Sequence, residues 1–274
     1  MTRDGDFELV TLRGGARAVR HTGHGEVMHP VGPWEEAQAL YVAQSNLAQR
    51  LAEDGPALCI HDVGLGAATN AVAAFTAARN LGELQRRKMH VVSLEVDLAP
   101  ARLALGDAVG FPFLVPWQNV VRTVLEQGRW AEGLLSWELH VGNALETWTR
   151  RLPTADVVFF DPFSPAANPT MWTPAAFELL RAHCRDDGAG CQLFTYSAST
   201  RTVVSLLLGG FFVGHGVATH GKTTTVASTR RELLAQPLDA AWLMHWERSS
   251  ARAPHGGVFD VVTEAAVRTH PQFR

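Results

Sequence analysis

A buried strand that runs straight into a glycine turn and then a helix is the feature that most limits what this chain can become. Leu58-Cys59-Ile60 leads into Asp62-Val63-Gly64-Leu65-Gly66-Ala67-Ala68-Thr69-Asn70, and the apolar run Ala71 to Ala78 follows. Such a strand, turn and helix is how α/β proteins bring backbone close to a nucleotide-like ligand. Glycine suits the turn because a Cβ there would block the approach. A second apolar run, Met89 to Glu95, ends in a carboxylate, and a third, Ala155 to Phe160, stops at Asp161-Pro162-Phe163-Ser164-Pro165. In open parallel sheets the ligand chemistry gathers at the carboxyl ends of the strands, so Asp161 is expected to face the same crevice as Gly64, Gly66 and Glu95.

Glu95 is the candidate to accept both hydroxyl hydrogens of a ribose, because an ionised acceptor makes those bonds stronger than a neutral one. Asp97 is expected to cap the helix over Leu98 to Leu105. Gly142-Asn143-Ala144 follows the strand Glu138 to Val141; there Asn143 either meets an adenine amino group or closes a turn before the helix Leu145 to Leu152, and the residues fit both.

The rest of the chain continues the alternation of strand and helix that marks a doubly wound, mostly parallel sheet. Residues 1–56 read as a cover, with a small antiparallel hairpin between Phe7 and Val27 and a helix from Glu35 to Leu51. The core is expected over 57–235 and a docked extension over 236–274, where Trp242 and Trp246 mark a helix. Phe111 to Trp137, with its prolines and tryptophans, reads as a mainly helical insertion. Helices are expected over Pro174 to His183 and Arg201 to Leu208, a strand over Cys191 to Tyr196, and an antiparallel pair from Phe211-Phe212-Val213 and Thr224 to Ser228.

Composition narrows the class. The chain has 274 residues, 46% hydrophobic and 19% charged, the balance of a globular α/β protein. No run spans a bilayer and Met1 to Asp6 lacks a secretion pattern, so no membrane association and a cytoplasmic location are expected. Cys59, Cys184 and Cys191 and the scattered histidines show no ligand spacing, so no metal is expected. The net charge of −3 does not announce nucleic acid, and the clusters Arg86-Arg87-Lys88, Arg150-Arg151 and Arg230-Arg231 read as solvated loop or helix ends.

Phe160-Asp161-Pro162-Phe163-Ser164-Pro165-Ala166-Ala167-Asn168-Pro169-Thr170-Met171-Trp172-Thr173 is similar to the Asp-Gly-Phe-x-Pro-x-x-Asn-Pro-x-Met-Trp-Thr string of one family. On it, and on Gly64-Leu65-Gly66 with Asn70, Glu95, Gly142 to Glu146, and Thr195-Tyr196-Ser197 with Gly210-Phe211, the chain resembles the class I S-adenosylmethionine-dependent methyltransferases. Within them it resembles the MnmC-type methyltransferase domain, which acts on an aminomethyl group of the tRNA wobble uridine. The likeness covers roughly Gly25 to Ser228 by the order of these elements.

The resemblance implies a Rossmann-like fold, S-adenosyl-L-methionine as cofactor, tRNA as partner, and a stand-alone form without the flavin oxidase domain. It places Asp62, Gly64, Gly66, Asn70, Glu95, Asn143, Ala144 and Asp161 on the cofactor. Asp161, Pro162 and Phe163 fall to the transfer step, with Asp161 orienting the amine first and accepting a proton second. Phe163 and Tyr196 are expected as walls of the acceptor pocket, Met171 and Trp172 as its closure, and Lys222 as a further substrate contact. The chain departs from the pattern at Ala68, Pro162 and Asn143, where the family has Gly, Gly and Asp. A basic Gly-Arg-Lys-Arg-Glu segment is reduced to Gly221-Lys222-Thr223-Thr224. These departures keep two other readings open, a small-molecule amine as acceptor and a non-catalytic binding module.

Overall fold

A computed structural model describes residues 3–82, 86–219 and 222–274. They divide into two compact units, Met1–Thr147 and Trp148–Arg274.

The first unit opens with β1 (Arg3–Asp4), β2 (Phe7–Thr11) and β3 (Arg17–His21) in an antiparallel sheet. The expected hairpin is there, widened by β1. The stretch read as a single helix from Glu35 to Leu51 is instead α1 (Pro33–Glu36), a wide-turn π-helical segment (Ala37–Ala43) and α2 (Leu47–Ala52). Asn46, with φ of 51°, breaks it. A left-handed residue cannot continue a helix, and apolar periodicity carries no sign of it.

β4 (Leu58–Val63), α3 (Thr69–Asn80), β5 (Met89–Glu95) and α4 (Ala99–Leu105) follow as the apolar runs require. All six residues of β4 are buried, which suits a strand covered on both faces. α5 (Gln118–Gln127) is preceded by a 3-10 turn over Pro112–Trp117. The insertion then ends differently from the expectation. Arg129–Glu132 is β6, paired antiparallel with β7 (Leu135–Val141), with Trp130 opposite Trp137. Gly133, at positive φ, lies in the turn of this hairpin, and Gly128, also at positive φ, ends α5 and turns the chain into β6. β4 pairs parallel with β5 and β5 with β7, so the parallel strands lie inside and the hairpin strand outside. The helix expected over Leu145 to Leu152 is only α6 (Ala144–Thr147).

In the second unit β8 (Val157–Phe160) pairs parallel with β9 (Gln192–Thr195). α7 (Pro174–Arg181) lies between them in the chain, with Pro174 in its first turn and the Thr173 side chain accepting from the Ala176 N–H. After α8 (Thr200–Leu208), β10 (Phe212–Thr219) and β11 (Lys222–Ser228) form the expected antiparallel pair, and β11 joins β9 antiparallel. Gly221 and the side chain of Lys222 lie outside the described residues. The tail forms α9 (Ala240–Arg248) and α10 (Val261–Arg268). Among the described residues no helix is long and apolar enough to cross a membrane, and no group of His, Cys, Asp and Glu could hold a metal ion.

Candidate active site

In the first unit the ladder fixes which residues leave the sheet together. Val63 lies opposite Leu94, and Glu95 opposite Val141, so Gly64, Glu95 and Gly142 emerge from adjacent strands at one edge. The Gly64 N–H donates to the Leu94 carbonyl (3.0 Å) and the Gly142 N–H to the Glu95 carbonyl (2.8 Å). The chain then curls through left-handed conformations at Gly64 (φ 90°), Gly66 (φ 52°) and Ala68 (φ 63°) before α3 begins. At Gly66 an added Cβ would meet only the Met28 sulfur, at an ordinary 3.4 Å. Within the protein it is therefore backbone conformation, not crowding, that asks for glycine here.

The Glu95 carboxylate organises this edge. Its Oε2 accepts the Gly66 N–H (2.8 Å), and its Oε1 accepts those of Val96 (2.8 Å) and Asp97 (3.1 Å). An ionised carboxylate offers about four lone-pair directions, so acceptor capacity remains on Oε2 for a hydroxyl. Burial raises the Glu95 pKa, opposed by the amides of Gly66, Asp97 and Val96 and reinforced by the charge of Asp97. The Asp97 side chain accepts the Ala99 N–H (2.8 Å) in the first turn of α4.

Behind Glu95 lies a buried chain of donors that the sequence did not reveal. The Trp137 indole N–H donates to Ser93 Oγ (2.9 Å), and the Ser93 hydroxyl donates to Asp62 Oδ2 (2.7 Å). Asp62 and Ser93 are fully buried. Ser93 is a lone small polar residue in an apolar run, the signal that would have found it. Asn70 is buried in the first turn of α3. Exposed Asn143 uses its side-chain oxygen to accept the Leu145 N–H (2.9 Å) at the head of α6, the turn alternative, while Ala144 is buried. A carboxylate with unspent acceptor capacity beside left-handed glycines is a donor and acceptor set that fits the ribose of a nucleoside.

In the second unit Phe159 lies opposite Phe194, so Asp161 and Tyr196 follow their strands out at one edge. The turn after Asp161 is clamped through two consecutive carbonyls. The Tyr196 hydroxyl donates to the Pro162 carbonyl, and the Trp172 indole N–H to that of Phe163, each at 2.9 Å. Trp172 is fully buried, edge-on to Phe160 (5.1 Å) and Tyr196 (5.7 Å), and Met171 is buried beside it in sequence. Asp161 and Phe163 are half-buried and Pro162 is buried. Much of the Asp161 to Thr173 string is therefore scaffold: the Ala167 and Asn168 amides close a turn on the Ser164 carbonyl, and Thr173 caps α7. His255, which sequence reasoning missed, sets its ring 6.4 Å from that of Trp172.

A family model described as S-adenosyl-L-methionine-dependent methyltransferase matches residues 116–231. Over that segment the chain is similar to S-adenosyl-L-methionine-dependent methyltransferases, and its fold is α/β, built around mostly parallel strands. It is 31% identical over 172 residues, 59% of its length, to the tRNA 5-methylaminomethyl-2-thiouridine biosynthesis bifunctional protein MnmC of Pseudomonas aeruginosa (strain UCBPP-PA14), of which it covers 25%. It is 29% identical over 227 residues to the protein of the same name from Chromobacterium violaceum, with 77% of the chain and 32% of that protein aligned. The chain thus spans a quarter to a third of the length of these curated relatives. Among solved structures, MNMC2 from Aquifex aeolicus is similar at a TM-score of 0.72 and 23% identity, over 96% of this chain and 80% of that one.

Proposed function

We propose that this chain is a methyltransferase that acts on an amine nitrogen, the aminomethyl group of a modified wobble uridine in tRNA, in the cytoplasm. The observation that carries this reading is the rigid Asp161-Pro162-Phe163 turn, whose successive carbonyls are fixed by Tyr196 and Trp172. The relatives, named for tRNA 5-methylaminomethyl-2-thiouridine biosynthesis, suggest the substrate.

Methyl transfer to an amine is an in-line displacement, in which a protein contributes mainly alignment and exclusion of water. S-adenosyl-L-methionine, when bound, supplies a methyl group on a positively charged sulfur. Glu95 accepts the ribose hydroxyl hydrogens, and Gly64 and Gly66 let the backbone approach. Asp62 and Asn70 support the turn from within, and Asn143 and Ala144 border the base. Asp161 accepts an N–H of the acceptor amine and so aims its lone pair. A carboxylate beside an amine also favours the ammonium form, so orientation is its first role. Phe163 and Tyr196 flank the amine, while buried Trp172 and Met171 hold the turn from behind.

A small-molecule amine is the second reading, favoured by the single cation in Gly221-Lys222-Thr223-Thr224 and the net charge of −3. Labelled methyl transfer to bulk tRNA from cells lacking the modification separates the two. Label in tRNA, at the wobble nucleoside after digestion, is the expected result. Transfer to small amines with none to tRNA would overturn the tRNA assignment.

A further inference from the structure

The polar cluster between the end of β9 and the strap 251–257 has a direction. Thr202 Oγ1, fully buried on the first turn of α8, lies 2.9 Å from Ser197 Oγ, 2.9 Å from Ser199 Oγ and 3.1 Å from His255 Nε2. Ser199 Oγ lies farther from His255 Nε2, at 3.5 Å; with the imidazole neutral and its proton on Nδ1, one arrangement of hydrogens uses all three of the shorter contacts. Both serine hydroxyls donate to the two lone pairs of Thr202 Oγ1, and the Thr202 hydroxyl donates to Nε2. Ser199 Oγ also accepts the Thr202 N–H (3.1 Å), which fixes that serine. Ser197 is left with acceptor capacity at the strand end next to Tyr196, at the edge from which Asp161 also emerges.

His255 is held where this chain needs it. Its backbone N–H donates to Ser205 Oγ (2.9 Å), and Arg201 donates to the Pro254 carbonyl (2.8 Å). The faces turned to the ring are the Trp172 indole and α8, whose charged member is Arg201. Arg252 of the strap lies over the Phe259 ring at 4.0 Å. Burial first, and the Arg201 charge second, hold the His255 pKa below its ordinary value, which favours the neutral acceptor.

The geometry points to Ser197, Thr202 and His255 as a proton relay that strips the acceptor ammonium before methyl transfer, with His255 as terminal proton acceptor. This rests on the amine reading above. An ammonium N–H bond breaks and its proton joins Ser197 Oγ, as that hydroxyl's own proton passes to Thr202 Oγ1 and the Thr202 proton to His255 Nε2. The freed nitrogen lone pair then bonds the methyl carbon, whose former bonding pair leaves with the sulfur. Half-buried His255 returns the proton to solvent.

The test pairs two measurements on the full chain. Thr202→Val keeps the shape and interrupts the relay, and His255→Gln removes its end. Both are expected to lower kcat at pH 7 roughly 100-fold, the lower end of proton-transfer catalysis, with S-adenosyl-L-methionine affinity unchanged. The deficit closes as pH rises to where the amine loses its proton to water unaided. A deficit constant across pH, or no deficit, overturns the relay. Independently of turnover, the histidine nitrogen NMR spectrum is expected to show His255 neutral with Nε2 unprotonated at pH 7. A protonated Nε2 overturns the relay even if no acceptor is methylated, whereas absent turnover with the expected spectrum counts against the amine reading alone.

Discussion

At the residue scale, Ala68 shows how a departure from the family pattern is absorbed. Its left-handed conformation costs a non-glycine residue about 1–2 kcal/mol. Glycine would relieve that, but would lose a buried methyl group, about 0.8 kcal/mol, and about 0.5–1 kcal/mol of chain entropy. The terms nearly cancel, so Ala68→Gly is expected to move stability by less than about 1 kcal/mol in urea unfolding. Ala68→Val, which adds bulk at a fully buried site, is expected to lose about 2 kcal/mol or more. Glu95 carries a pH signature. Its pKa is raised, so its ionised form is a net burden on the ligand-free fold: that stability is fullest at acid pH and declines as pH rises through the folded pKa. The proposed ribose recognition needs the ionised form and runs the other way. Affinity for S-adenosyl-L-methionine is expected to weaken as pH falls, starting at a less acidic pH than an ordinary glutamate would give, and a titration series by calorimetry reads it. Affinity flat through that range would remove Glu95 from the cofactor.

At the element scale, the runs that end in a glycine or a carboxylate were the legible ones. β5 spans Met89–Glu95 as its apolar run does, because both ends are set by local chemistry. The helix broken at Asn46 and the β6 hairpin were not legible in the same way. The first keeps its apolar period through the break, and the second hides two glycine turns among aromatic residues that also suit a helix. The C-terminal tail was legible as a helix but not in its anchor. Gln272 donates to the carbonyls of Val213 (2.6 Å) and Leu238 (2.9 Å) and accepts the Val213 N–H (2.6 Å). Gln272→Ala would orphan a buried N–H, so a loss of about 1–3 kcal/mol is expected in urea unfolding; a loss under about 0.5 kcal/mol would show that the tail is not anchored there. Beside it, burial pushes the His270 pKa down to about 4. The neutral ring is the folded form, so its contribution is complete above the unfolded value of about 6.5 and is lost as pH falls from there toward 4.

At the scale of the whole molecule, the fold was legible because strand, turn and helix repeat in order along one chain. The grouping of Gly64, Gly66 and Glu95 at one edge was legible with it, since each stands at or just past a strand end. The supports of the Asp161 turn were only partly so. Tyr196 is expected from the sequence as a pocket wall and Trp172 as part of its closure, whereas the structure gives their polar atoms to the Pro162 and Phe163 carbonyls respectively. His255 meets Thr202 across 53 positions of sequence, a distance that no local pattern spans. The division of labour between the Glu95 edge and the Asp161 turn is the central claim, and calorimetric titration of S-adenosyl-L-methionine into the parent chain, Glu95→Ala and Asp161→Ala, with methyl transfer measured on the same samples, tests it most directly. Loss of charge-assisted hydrogen bonds at Glu95 is expected to weaken binding roughly 10–100-fold, while Asp161→Ala binds near the parent affinity and loses transfer; normal binding by Glu95→Ala together with undiminished transfer by Asp161→Ala would contradict it.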